Sequence, residues 1–448
     1  MVIAQRFVPS GLVFLCAMVA GSTLAHADSG SSLILSDAVQ EALKDSPVLQ
    51  GQQASVDQSG WRAFQALGGG FLPRISAGYT HYFTEKYQDT AINFGGTLMM
   101  FPGAYPTNNL TVTATLPIFD GLSNIFGYQA ASLEKSAAEQ DYDYARFQLA
   151  QDVKLAFFQA LAASQLRAVA QENVKTLEDH LKEVEVQRSG GAATRYDTLR
   201  VSVQLSEARA DEIDAEDNGV LARQKLMTLM GLDHDARTLV GELPVPDTTH
   251  AKDLELNGVP SSRSDLQALD SRSRAADKMR IARNAWLVPS VSLIGQYDYY
   301  ELMNENTADG SVKPSGTYKN AYNVGVSLTW NLFDGGVALA QARQASYERI
   351  KAEKTAEAAR IQVPYDFTFW KKRFLSNTDH YQARKLDIER SEESVRLAKI
   401  EERAGTRTST ETLDAELDLF RSKAGAVNAQ VSALEAQIKL ESALGRTL

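Results

Sequence analysis

The stretch from Leu110 to Gly121, Leu-Thr-Val-Thr-Ala-Thr-Leu-Pro-Ile-Phe-Asp-Gly, decides the fold. Leu110, Val112, Ala114 and Leu116 alternate with Thr111, Thr113 and Thr115, so one face of a strand is apolar and the other carries hydroxyls. Phe119-Asp120-Gly121 ends the alternation, and from Gly121 to Arg188 there is almost no helix breaker. A strand therefore feeds a helix roughly 100 Å long at 1.5 Å per residue. The transition occurs twice. Tyr322, Val324, Val326, Leu328 and Trp330 form a second alternating run, which leads to Phe333-Asp334-Gly335 and a second long run to Arg403. Pro364, in Val363-Pro364-Tyr365, interrupts that run and predicts a kink or break.

Other markers repeat at the same separation of about 214 residues. Gly191, Asp197 and Leu199 recur as Gly405, Glu411 and Leu413. Phe71-Leu72-Pro73 recurs, two residues out of step, as Leu287-Val288-Pro289, and Ser46 to Leu49 corresponds loosely to Arg263 to Leu266. The chain thus reads as a first structural repeat over 28–242, a Pro-containing connector over 243–261 and a second repeat over 262–448.

Each repeat reads as helix, two strands and a long helical hairpin. In the first, 36–66 reads as helix and Gly68-Gly69-Gly70 as a break. A strand over about 72–84 follows, with Ile75, Ala77, Tyr79 and Phe83 on one side and Arg74, Ser76, Thr80 and Tyr82 on the other. A polar loop over 85–108 leads to the second strand, about 108–118, and the hairpin tip falls near 191. In the second repeat the strands fall at about 290–300, with Val291, Leu293, Tyr297 and Tyr299 on one face, and about 322–332, joined by a loop over 301–321. The tip falls near 405. In the last helix Leu413, Leu417, Phe420, Ala424, Val427, Val431, Leu434 and Ile438 follow alternating spacings of four and three, a coiled-coil seam. The matching stripe of the first repeat, Leu199, Val203, Ala210, Ile213 and Val220, is interrupted by Asp217 and Gln224, which predicts less regular packing.

The first 27 residues read as a secretory signal peptide. Arg6 precedes the apolar run Gly11 to Ala20, and Ala25-His26-Ala27 supplies the small residues of a cleavage site before Asp28. Cys16 is the only cysteine and lies in that segment, so the mature chain offers no disulfide, thiol nucleophile or thiolate ligand. Removing Arg6 takes the formal net charge from −10 to −11, which argues against a nucleic-acid partner and for a surface that favours cations. No later stretch reaches 18 consecutive apolar residues, so no membrane helix is predicted. His81, His180, His234, His250 and His380 are scattered without ligand spacing, and no P-loop, H-E-x-x-H or G-x-S-x-G motif occurs. No cofactor and no enzymatic activity are expected.

Four strands cannot close a membrane barrel, whose smallest closed examples have about eight. Nor can an open sheet sit in lipid with unpaired edges. Strands that enter the membrane must therefore come from several chains, and three chains would supply twelve. Both strand pairs lie between long helices, so both enter from one side and all helices project from that side. Tyr79, Phe83, Tyr297, Tyr299, Tyr322 and Trp330, near strand ends, suit a membrane-interface girdle.

At this point a resemblance becomes specific. Gly405-Thr406-Arg407-Thr408-Ser409-Thr410-Glu411-Thr412-Leu413-Asp414-Ala415 resembles the periplasmic tip segment of the TolC family of outer-membrane efflux and secretion channels, and Gly191 to Asp197 resembles that family's other tip turn. The resemblance covers essentially the whole mature chain. It implies a mainly α fold with membrane β: a long α-helical coiled-coil barrel joined to a transmembrane β-barrel shared by three chains. It also implies a homotrimer in the outer membrane of a Gram-negative bacterium, working with a periplasmic adaptor protein and an inner-membrane transporter. Glu411 and Asp414 would form acidic rings at the entrance. Arg407, Asp197 and Glu402 would be latch positions, Glu402 standing where the family's best-known member has tyrosine. Gly191, Ala192, Gly405 and Thr406 would contact the adaptor. The competing reading is a periplasmic coiled-coil adaptor or structural interaction protein without a pore.

Overall fold

The computed structural model describes residues 32–447 apart from 82–86, 105–107, 236, 257–259, 261–262 and 307–311. The expected signal peptide, Phe83 and part of the connector lie outside the described residues. The chain runs β1 (Ser32–Leu33), α1 (Leu35–Asp45), α2 (Pro47–Phe71), β2 (Arg74–His81), β3 (Tyr87–Phe94), β4 (Thr97–Ala104), β5 (Asn108–Phe119), α3 (Ser123–Ser189) and α4 (Arg195–Met230). After β6 (Thr238–Leu239) and the short α5 (Thr249–Lys252) the plan repeats as α6 (Ser264–Arg283), β7 (Ser290–Asn306), β8 (Val312–Thr329), α7 (Val337–Arg403) and α8 (Ser409–Leu444). The two long helices have 67 residues each and the two helices that fold back on them have 36 each.

Four strands form one antiparallel sheet in the order β2-β5-β7-β8. Its register aligns the apolar alternations of all four. Tyr79 lies beside Leu110 and Tyr299; Ala77 beside Val112, Tyr297 and Tyr322; Ile75 beside Ala114, Gly295 and Val324; Leu116 beside Leu293 and Val326. The other face carries Ser76, Thr113, Gln296 and Asn323 in one row and Gly78, Thr111, Asp298 and Ala321 in the next. On the apolar face Tyr322, Val324, Val326 and Leu328 are 67–83 % exposed, and among the described residues no helix covers them.

The duplicated Phe-Asp-Gly has a local cause. Gly121 and Gly335 both adopt left-handed backbone as the chain turns from strand to long helix. The Asp120 carboxylate accepts from the Asn124 amide at 2.7 Å, and Asp334 accepts from the Ala338 amide at 2.8 Å, so each aspartate caps the helix that follows. Leu122 takes the left-handed conformation that Gly336 supplies in the second copy.

In several places the structure departs from the sequence expectations. The helix expected over 36–66 is two, split at Ser46-Pro47, where proline opens the second. Gly68-Gly69-Gly70 is not a break: α2 continues to Phe71, and Gly70 allows close approach of α3. A Cβ there would lie 2.7 Å from Asn124 Cβ, while Asn124 Nδ2 donates to the Gly70 carbonyl at 3.1 Å. The loop expected over 85–108 contains a second hairpin, β3–β4, turned by Gly95-Gly96. The strands expected at 290–300 and 322–332 run from Ser290 to Asn306 and from Val312 to Thr329, so Trp330 lies just past the strand end. Pro364 does not break α7, which stays helical throughout, anchored on either side by buried Val363 and Phe367. The α8 seam packs as expected, every member buried or half-buried. The α4 stripe does not: Leu199, Val203, Ile213 and Val220 are exposed, while Thr198, Val201, Leu205 and Ala208 face inward.

Helix neighbours define two edges. α3 packs on α2, α4, α6 and α8, and α7 packs on α6 and α8, so α2 with α4 lies at one side and α7 at the other. The main core joins both repeats: Leu149, Val153, Phe157 and Leu161 of α3 pack with Leu226 and Met230 of α4 and Leu434 and Ile438 of α8. The end of α4 meets the start of α2, and the end of α8 meets the start of α6. A Cβ on Gly231 would lie 2.8 Å from Pro47 Cδ and 3.0 Å from the Asp45 carbonyl oxygen, and one on Gly445 would lie 3.2 Å from the Arg263 backbone. Both glycines are left-handed. Gly231→Ala and Gly445→Ala should each destabilise the helical body by more than about 2 kcal/mol, combining left-handed strain with a backbone clash. Gly191→Ala, with open space around it, should cost only the strain, about 1–2 kcal/mol. Thermal unfolding of the detergent-solubilised protein measures the difference, and equal losses at all three sites would contradict these junctions.

Candidate functional site at the hairpin tips

Both hairpins end in the same construction. The long helix stops in a Schellman turn: Gly191 N–H donates to the Arg188 carbonyl at 3.1 Å and Ala192 N–H to Gln187 at 2.8 Å. In the second copy Gly405 N–H donates to Glu402 at 2.9 Å and Thr406 N–H to Glu401 at 3.0 Å. Three residues after each glycine a threonine caps the returning helix. Thr194 and Asp197 form a reciprocal capping box, as do Thr408 and Glu411. The repeated Gly-x-x-Thr-x-x-acid spacing is therefore a complete turn between antiparallel helices.

The acids in these boxes are held ionised. Hydrogen bonds from the Thr194 hydroxyl and backbone amide lower the Asp197 pKa, with a smaller contribution from Thr410. The Thr408 backbone amide, then its hydroxyl, lower that of Glu411. Glu411 and Asp414 are both exposed at the tip of α8. Arg200 of the first hairpin reaches Asp414 at 3.0 Å. Within the chain Arg407 pairs with Glu401 at 3.2 Å, and Glu402 accepts from Gln187 Nε2 at 3.1 Å. Arg407 and Asp197 are thus engaged with different partners. Gly191, Ala192, Gly405 and Thr406 are all exposed at the ends of the two turns.

Beneath the tips the hairpins are joined by a buried contact. Leu413 of α8 is fully buried among Val174, Leu177 and Val184 of α3 and Val201, Leu205 and Ala208 of α4. One turn along α8, the Glu416 carboxylate lies 3.1 Å from His180 Nδ1 on α3 and 2.8 Å from Lys399 Nζ on α7. His180 Nε2 is 2.9 Å from Ser409 Oγ. The His180 and Glu416 side chains are each 2 % exposed. Burial by itself would lower the His180 pKa; Glu416, with Glu402 and Glu183, outweighs it and the pKa is raised. Burial would raise that of Glu416, but His180 and Lys399 bring it down. Exposed pairs such as Arg200–Asp414 contribute about 0.2–1 kcal/mol, whereas removing one partner of a buried pair costs about 3–5 kcal/mol. His180 and Glu416 therefore matter more to this seam than the exposed pairs.

Sequence reasoning did not single out His180 or Glu416. His180 was one of several scattered histidines, and Glu416 resembled another solvated helix charge. One signal was available: at the repeat offset His180 corresponds to Ser394 and Glu416 to Ser202, so both ionisable groups are specific to one copy. Among the described residues no cluster of three or more His, Cys, Asp or Glu side chains could hold a metal ion.

An uncovered apolar sheet face beside paired helical hairpins defines a class, and comparison with known proteins gives the family. Residues 38–232 and 259–446 match the family described as outer membrane efflux protein. The chain belongs to that family, in agreement with the TolC resemblance of its tip motifs. It is similar to outer membrane protein TolC of Escherichia coli, 23% identical over 388 residues covering 84% of this chain and 74% of that protein. It is also similar to the alkaline protease secretion protein AprF of Pseudomonas aeruginosa, 26% identical over 339 residues covering 72% of this chain and 65% of that one. Among solved structures, the outer membrane protein VceC of Vibrio cholerae shares the fold with a TM-score of 0.72 at 17% identity, covering 92% of this chain and 96% of that chain. The protein is an outer-membrane channel component of the efflux and type I secretion class.

Thr408→Ala removes one side of the second capping box and should cost about 1 kcal/mol locally. Faster amide exchange over residues 409–413, with unchanged exchange in the main core, is the expected readout. Protection that is unaltered at those amides would show that the box does not hold the turn.

Proposed function

We propose that three copies of this chain close one twelve-strand barrel in the outer membrane and one helical tunnel beneath it, forming a passive exit duct gated at the tips. The observation that carries this reading is the sheet. Its register gathers the large apolar side chains on one uncovered face, and among the described residues β2 and β8 each have a partner on one side only. Such a face suits lipid, and unpaired edges in lipid require a neighbour. Tyr79, Tyr297, Tyr299 and Tyr322 lie toward the far end of that face and Trp330 at the helix end, which suits two interfacial girdles.

The helical edges support the same closure. The α2–α4 side exposes Trp61, Phe64, Leu199, Val203, Ile213 and Val220, and the α7 side exposes Tyr347, Ile361, Tyr365 and Phe369. Covering a large apolar side chain contributes about 1.5–3 kcal/mol. The sides differ from each other, so the contact is head to tail and closes as a ring. β2 lies on the α2–α4 side and β8 on the α7 side, so sheet and tunnel close together.

In this assembly Glu411 and Asp414 repeat around the entrance as rings of carboxylates that favour cations. Arg407, Asp197 and Glu402 are the latch positions nearest the turns. Gly191, Ala192, Gly405 and Thr406 present backbone and small side chains to the hairpin of a periplasmic adaptor, which links the duct to an inner-membrane transporter. Cargo choice belongs to that transporter: one relative is named for pyoverdine export and another for alkaline protease secretion. A soluble adaptor without a pore would leave the apolar sheet face unexplained.

Extraction by detergent but not by salt, and migration as a trimer, are the expected behaviours; a salt-extractable monomer would rule the duct out. In planar bilayers Glu411→Ala with Asp414→Ala should weaken cation selectivity, whereas Arg200→Ala, which frees the Asp414 carboxylate from its partner, should strengthen it. Unchanged reversal potentials in a salt gradient would count against the rings.

A further inference from the structure

Below the turns the two hairpins are joined across α3 and α4 on one side and α7 and α8 on the other. Polar links there include Arg200–Asp414, Gln187–Glu402, Lys423–Glu172 and the pair of His180 with Glu416 and Ser409. In the first three at least one partner remains solvent-accessible, so water can replace the contact when the hairpins part. His180 and Glu416 are buried together in the closed seam, one from each repeat. Glu416 and Ser409 of α8 contact the imidazole, Glu183 of its own helix and Glu402 of α7 act on it through their charge, and Lys399 of α7 pairs with the Glu416 carboxylate. The neutral ring can keep Nδ1–H toward Glu416 while Nε2 accepts from the Ser409 hydroxyl; protonation turns the Glu416 contact into a full ion pair, 3.1 Å apart and shielded from water. A cavity of about 190 Å³ lined by Glu172, Asn173, Lys399, Glu416 and Lys423 lies against the carboxylate, with room for several water molecules to carry protons.

We propose that His180 and Glu416 form a buried pin across the seam between the two hairpins, with the half-exposed Lys399 supporting Glu416 from α7, and that protonation of His180 locks this pin and makes opening of the entrance pH-dependent. The proposal rests on the duct reading, in which the hairpin tips are the gate. Its sign follows from the environment of the pair. In the closed seam the histidine pKa is raised above its ordinary 6.5, and parting the hairpins returns the ring to water. The locking contribution is therefore full below about pH 6.5 and is lost as pH rises through the higher value of the closed state. Glu416, with its pKa lowered, stays ionised through this window. Each unit of separation between the closed and open values changes the open-to-closed ratio by up to about tenfold.

Two measurements on the full-length protein test the pin separately from the duct. In single-channel recordings, wild-type open dwell times should be several-fold longer at about pH 8.5 than at about pH 6. His180→Gln, neutral throughout, should flatten that response, and so should Glu416→Gln. His380→Gln, on the exposed surface of α7, should keep it. Independently, NMR of histidine labelled at Cε1 in detergent micelles should show one ring titrating above the ordinary histidine range, absent in His180→Gln and shifted down in Glu416→Gln. An ordinary titration for His180, or a pH response that survives His180→Gln, overturns the pin. A raised titration in a protein that never conducts supports the buried pair and overturns the gating role together with the duct.

Discussion

The constraint on which the rest depends is the unfinished hydrogen bonding of a four-stranded sheet. β2 and β8 each expose a row of backbone donors and acceptors, and the apolar face beside them has no helical cover. In water such edges invite uncontrolled pairing, and in lipid they are untenable unless another chain completes them. The helical part has the same incompleteness, with apolar side chains left exposed along the α2–α4 side and the α7 side. In the proposed assembly one chain is a stave whose two sides meet those of its neighbours.

Duplication makes this economical. Each repeat delivers two strands, a capped junction into a 67-residue helix and a Schellman turn with a capping box. The shared devices are the ones that shape the stave. Near the tips the copies diverge: Asp414, Glu416, Lys399 and Glu402 stand opposite Arg200, Ser202, Glu185 and Arg188 at the repeat offset. At three of these positions the second hairpin carries an acid where the first carries a base or a hydroxyl, and at the fourth Lys399 stands opposite Glu185; Arg200–Asp414 is one direct result.

Legibility followed the range of the interaction. The turn motifs at Gly191 and Gly405 could be read because capping and left-handed glycines act within a few residues. The alternations of Leu110 to Leu116 and Tyr322 to Leu328 could be read because pleat direction is local. Gly68-Gly69-Gly70 was misread as a break because its purpose, admitting Asn124 against Gly70, involves residues more than fifty positions away. Pro364 does not break α7, which continues through it with Val363 and Phe367 buried on either side. Gly95-Gly96 does carry a hairpin signal, flanked by Ala91 to Phe94 and Leu98 to Phe101, which the reading of 85–108 as a polar loop passes over.

By itself the sequence determined the repeat, the strand faces, the long helices, the tip turns and the family, because each is written in residue spacing or short motifs. Only the tertiary structure decided that the α4 stripe faces outward while the α8 seam faces inward, since two similar amphipathic helices cannot reveal which has a neighbour in its own chain. Only it paired His180 with Glu416, 236 positions apart and on different repeats. Such a pairing depends on how α3, α7 and α8 pack together, which no local pattern encodes.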